Sequence, residues 1–212
     1  MAPLHTPRHG KQRYVLSSRV LSLIDKPQDY YLSNMTIDIP GMDEVETRDL
    51  LRSRFFPFIM TDPALLHAVM LMAASHYTSA YGSRSHPIDL LQLRGMAIRE
   101  INQSLADPVR GTCDQLIAAV ANMASHEALF GDRRVFHTHM TGLLRMVSLR
   151  GGLHNLGLRG LLERILLWVD ANASHITGSH IYFDRHAFPT TAVHPRPNPT
   201  RFAGGLPSRV QS

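Results

Sequence analysis

Cysteine occurs once in the 212-residue chain, as Cys113. A single thiol excludes an intramolecular disulfide framework and a cysteine-rich zinc site, since both need several sulfurs. It also fits a reducing compartment. Strand-like alternation of useful length is missing, so no sheet is expected, and a phosphate loop following a strand goes with it. The most apolar run, Ala64 to Ala74, falls well short of the ~20 residues that span a bilayer. The basic start, with His5, Arg8, His9, Lys11 and Arg13, leads into no apolar segment of the kind a secretory signal carries. A membrane-independent protein is therefore expected.

Concentrated charge is lacking too. The formal net charge is +5, but thirteen arginines meet thirteen acidic residues between Asp43 and Ser174. The excess falls in residues 1–42 (five basic, three acidic) and 175–212 (four basic, one acidic). A DNA-binding face would cluster basic residues on the folded body. No direct DNA contact is expected from this chain.

With 44% hydrophobic residues, the chain can bury one sizeable core. Helices are expected to begin near 43, 62, 87, 112, 132 and 158, each after a short polar break, with no repeated signature. Asp43 caps a first helix ending at Phe55-Phe56-Pro57. Asp62-Pro63 places a capping carboxylate before a proline at the first helical position, and the helix that follows is apolar nearly all round. Ser85 and Pro87 open the next, with Leu90, Ala97, Ile101 and Leu105 as its stripe and Asp107-Pro108 as its stop. Thr112 and Gln115 have capping-box spacing, and Leu116, Val120 and Met123 mark one buried face behind them. Asp132 caps a helix with Phe136, Met140, Leu143 and Val147 on its dry side, closed by Gly151-Gly152 with Leu153 beyond. The short link at Gly131-Asp132 implies antiparallel packing of these two helices. The last expected helix passes through Leu162, Ile165 and Val169.

The predicted fold is all-α: stacked antiparallel helical hairpins in a bundle or solenoid-like array. Residues 1–42 form an irregular leader, with a short helix over Tyr14 to Ile24 and an extended run over Met35 to Ile39. Residues 43–182 form the helical domain. Residues 183–212, with Pro189, Pro195, Pro197, Pro199, Pro207 and Gly204-Gly205, read as a flexible tail.

Thirteen histidines invite a metal reading, which the spacing does not support. His126-Glu127 starts like a zinc-protease helix, but the second histidine would stand at position 130, which is Phe130. His137 and His139 point to different faces, and His67 and His76 lie over two turns apart. Cys113 sits at a helix start with no histidine near it in sequence. No catalytic, metal or cofactor-binding residue is assigned, and no cofactor is expected. Glu127, next on an apolar line, needs a partner such as His139 or an arginine across the hairpin. His139 reads as a buried histidine bonded to Glu127 or to a carbonyl. Gly142 in mid-helix suggests a second helix passing close. Asp170 and Arg150 either pair between helices or stay solvated. Trp168 aligns with Leu161 and Ile165 as core.

The run from His139 to Leu153, with Gly142, Arg150, Gly151 and Gly152, resembles the signature of the fungal-specific transcription factor regulatory domain. Asp62 to Leu66, Ala73 to His76, Leu105 to Pro108, Ala118 to Val120, Glu127 with Gly131-Asp132, and Leu166 to Asp170 with Trp168 agree in order. The resemblance covers about residues 50–182. The family's binuclear zinc cluster needs six cysteines, so this chain does not carry that module. The resemblance implies the front part of a regulatory domain, truncated or stand-alone. It also implies a nuclear, non-enzymatic role through a protein partner (its own copy or a full-length transcription factor) or through an effector. Two other readings are a small-molecule sensor with a pocket near Met70, Met123 and Met146, and a hydrolase built on histidine-held metal.

Overall fold

The computed structural model describes residues 44–82 and 87–206. The leader's expected helix and extended run, the Asp43 cap, Ser85 and Pro207 lie outside the described residues. Every regular element among the described residues is helical.

Helix α1, Glu44–Leu50, widens into a π-type turn over Leu51–Phe55 and continues as α2, Phe56–Ile59. The helical path therefore passes Pro57, where a stop was expected. Pro57 contributes no amide to the helical ladder, and it follows directly on the π-type turn where the hydrogen-bond pattern is already altered. Leu51, Phe55 and Ile59, spaced four apart, are buried.

Helix α3, Pro63–Tyr81, starts as predicted: Asp62 Oδ1 accepts from the amides of Ala64 (2.9 Å) and Leu65 (3.2 Å). It is buried on all sides from Ala68 to His76 and emerges towards its end. Gly82 closes it at φ 64°, a backbone conformation that glycine adopts without a Cβ penalty. Helix α4, Pro87–Leu105, packs back along α3. Its buried line is Leu93, Ala97 and Ile101; Leu105, expected on that stripe, is exposed because the helix turns the buried line onto Ser104, three residues after Ile101.

Helix α5, Asp114–Phe130, is the centre of the bundle, packed against α3, against the following helix α6, Arg133–Leu149, and against α7, Leu161–Thr177. The expected single buried face is thus too narrow a description. Leu116 to Ala121 are buried in an unbroken run, since three helices surround them. The capping box is not formed either. Thr112 belongs to a 3-10 turn, Arg110–Thr112, Cys113 takes the cap position without a side-chain bond, and Gln115 donates to Thr61 Oγ1 instead. Asp132 does cap α6, accepting from Arg134 and Val135 amides. At the far end the Gly152 amide reaches the Val147 carbonyl (2.9 Å) and Gly151 reaches Ser148 (3.0 Å), the paired closure expected of two glycines with a hydrophobic follower. Leu153 is fully buried.

The proline-rich stretch expected as a flexible tail lies on the bundle through residue 206. A short helix, α8, Pro199–Phe202, contacts α7, and Tyr182, Phe183, Phe202 and Ala203 are buried. A few aromatic anchors order this stretch, whose prolines already reduce its unfolded freedom.

Candidate functional site

In the last turn of α5, the apolar line arrives at a carboxylate. Glu127 is 2% exposed and holds three elements together. Its Oε1 accepts from Arg94 Nη2 of α4 at 2.7 Å, and its Oε2 accepts from the Asp132 amide, at the start of α6, at 3.0 Å. Burial alone would raise its pKa; the His126 ring, the Asp132 amide and the Arg94 guanidinium outweigh that and hold it at about 2. The side chain folds back over Gly131, where an added Cβ would stand 1.8 Å from Oε2, so only glycine fits.

The preceding residue, His126, is also buried, and its Nε2 lies 3.0 Å from Ser75 Oγ of α3. Its Nδ1 is 3.7 Å from Glu127 Oε1, too far for a hydrogen bond. Serine, histidine and carboxylate therefore line up, but the histidine–carboxylate link that orients a catalytic imidazole is not made.

Above these groups opens a cavity of about 500 Å³. Leu71, Leu90, Leu91 and Phe130 supply apolar wall, Ser79 stands at the rim, and Ser75, Arg94, His126 and Glu127 supply the polar floor. Two floor atoms, Arg94 Nε and His126 Nδ1, are buried without a hydrogen-bond partner.

The remaining residues singled out from sequence sit elsewhere. His139 is half-buried on α6, its Nε2 without a partner, and burial lowers its pKa. The expected bond to Glu127 or a carbonyl is not made at that atom; Glu127 is taken by α4 rather than by a residue across the hairpin. Gly142 is exposed with nothing within 4 Å of an added Cβ, so no helix crosses there. Arg150 pairs with Asp114 at 3.4 Å, not with Asp170. Asp170, 1% exposed, accepts from the amides of Tyr182 and Phe183 and from Ser174 Oγ. Burial raises its pKa despite these donors. Gly151 and Gly152 serve the helix ending at φ 93° and 104°. Trp168 is core and meets Phe202 edge-on at 6.4 Å. His76 Nε2 bonds the carbonyls of Ala203 and Gly204, tying α3 to the C-terminal segment. Met70, Met123 and Met146 are buried in the core, away from the cavity wall. Among the described residues, no three His, Cys, Asp or Glu side chains converge as metal ligands.

Sequence reasoning found Glu127 but missed Arg94, Ser75 and the cavity. Arg94 lies 33 positions away and Ser75 51 from His126, and no local pattern announces pairings at that separation.

A model of the fungal specific transcription factor domain matches residues 27–201. The chain belongs to that family. The match takes in the cavity, the Glu127 junction and all of α8 but its last residue, Phe202, so the docked segment is largely within the family's domain rather than an appendage. Membership ties the chain to transcription regulation. No curated protein and no solved structure matches it.

Proposed function

We propose that this chain is a non-enzymatic, nuclear, transcription-regulatory domain that acts through a protein partner and responds to an effector. Family membership supports the regulatory and nuclear parts. The cavity at the meeting of α3, α4 and α5 supports the effector part, and it is the observation that carries the reading. Its volume falls within the ~300–1,000 Å³ of small-molecule sites, with mostly apolar walls and a few convergent polar groups. Glu127 in its floor also holds the start of α6, so a molecule bound there acts on the junction of three helices. The open Ser75–His126–Glu127 series supports binding over catalysis, since Nδ1 lacks an orienting bond.

Partner contact finds support in the apolar residues that α4 leaves outside the core, Leu91, Ile98 and Leu105, at seven-residue spacing on one face. The test is to tether the chain to an unrelated DNA-binding domain in a fungal cell and measure a reporter. A change of several-fold over the DNA-binding domain alone is expected, with fluorescence of a tagged chain in the nucleus. A well-expressed fusion that leaves the reporter unchanged overturns the regulatory reading.

A further inference from the structure

The floor of the cavity contains two donors without a hydrogen-bonded acceptor, Arg94 Nε and His126 Nδ1, the latter 3.7 Å from Glu127 Oε1. The carboxylate beside His126 Nδ1 favours the tautomer with its proton on that atom, leaving Nε2 to accept from the Ser75 hydroxyl. Nδ1–H is then a donor without a close partner, as is Arg94 Nε–H. A buried polar group without a partner costs roughly 1–3 kcal/mol, which an incoming acceptor relieves. Arg94 and Glu127 are already paired at 2.7 Å, and Asp132, the other charged residue of the lining, leaves the cavity net negative, its Oδ1 occupied by the amides of Arg134 and Val135. An anionic ligand would meet the Glu127 carboxylate, which stays ionised at any ordinary pH, and a cationic ligand would compete with Arg94 for it. Around the donors the wall is leucine and phenylalanine.

We propose that this cavity binds an uncharged, largely apolar molecule carrying a carbonyl oxygen, a ketone, ester, lactone or amide, whose oxygen accepts from Arg94 Nε and His126 Nδ1. The proposal rests on the effector reading above and assigns the chemistry of that effector. Both atoms are shielded from solvent in the floor, so binding of this kind requires the ring and the guanidinium to turn slightly to present these donors. The same movement loosens or tightens the Arg94–Glu127 contact, and Glu127 passes it to the Asp132 amide.

The test uses 6-propionyl-2-(dimethylamino)naphthalene, a neutral apolar ketone whose emission reports both burial and hydrogen bonding of its carbonyl. Two analogues accompany it: the naphthylamine without the propionyl group and the 6-carboxylate. Saturable 1:1 binding of the ketone is expected, with each analogue binding at least about tenfold more weakly. Ser79→Trp, which fills the rim from an exposed helix position, should weaken the ketone at least about tenfold. Arg94→Lys, which keeps the positive charge but has no Nε–H, should weaken it about fivefold and shift its emission to the blue. Thermal melts of both variants confirm that they fold.

Tightest binding by the carboxylate overturns the proposal in favour of an anion site. Equal binding of the amine without its carbonyl overturns it in favour of a purely apolar hole. Unchanged affinity in folded Ser79→Trp places the probe elsewhere and also overturns it. A tethered chain that regulates its reporter while the ketone fails to bind removes this ligand class and leaves the regulatory reading standing. A silent tethered chain that binds the ketone does the reverse.

Discussion

Arg94 and Glu127, 33 residues apart, meet at 2.7 Å with the Glu127 side chain enclosed and the Arg94 side chain about one third exposed. The pair joins α4 to α5, and the second carboxylate oxygen extends the join to α6. Removing one partner of such a pair strands the other. Glu127→Ala is expected to cost about 3 kcal/mol, the low end of the range for wholly buried pairs because Arg94 reaches solvent. Glu127→Gln keeps an acceptor for the Asp132 amide and should cost less. Urea denaturation read by circular dichroism checks both the size and the order.

The same carboxylate sets an acid limit. Its pKa in the folded chain is about 2 against an ordinary 4.5, so its stabilisation is complete above 4.5 and disappears as the pH falls towards 2. The difference corresponds to roughly 3 kcal/mol. His76 and His139, both held below their usual pKa by burial, begin to withdraw support earlier, as the pH falls below 6.5. Thermal melts between pH 8 and pH 3 should show a two-step decline, and Glu127→Gln should flatten the lower step while leaving the upper one.

Two glycines should answer oppositely to alanine. At Gly131 the new Cβ would collide with Glu127 Oε2 at 1.8 Å, so Gly131→Ala displaces the carboxylate and should destabilise by about 2 kcal/mol. At Gly142 nothing lies within 4 Å and the site is an exposed helix interior, so Gly142→Ala should stabilise by about 1 kcal/mol. Paired melts of the two variants decide it.

The C-terminal docking can be read from the chain's only tryptophan. Phe202 lies edge-on to Trp168 at 6.4 Å and is 7% exposed. Phe202→Ala should cost about 3 kcal/mol, or else release the segment locally. In either case Trp168 emission should move to longer wavelength. An unchanged spectrum would mean that Phe202 does not cover Trp168 in solution.

Helix existence was legible wherever a capping side chain preceded an apolar period. Asp62 and Asp132 each make the two amide contacts that their positions announce. Thr112 failed because a 3-10 turn consumes the residues the capping box required. The core nature of Trp168 and the glycine closure at 151–152 were local facts and were readable as such. Arg150 and Asp170 found other partners, since ion pairing between helices depends on rotation and register that spacing does not fix. Gly142 misled because a helix glycine can face open water as well as a neighbour. The prolines of the C-terminal segment point to a flexible tail, whereas Tyr182, Phe183 and Phe202 and the bonds from His76 anchor it. The cavity was beyond reach of local reading, being assembled from α3, α4 and the end of α5.

The most direct measurement is reporter output from the tethered chain, compared between the wild type and Ser79→Trp at matched protein level and matched melting temperature. Filling the cavity is expected to shift the output by about threefold or more in one direction and to abolish its response to added ketone ligand. Identical output from a folded, cavity-filled variant would contradict the account, because the cavity would then have no part in regulation.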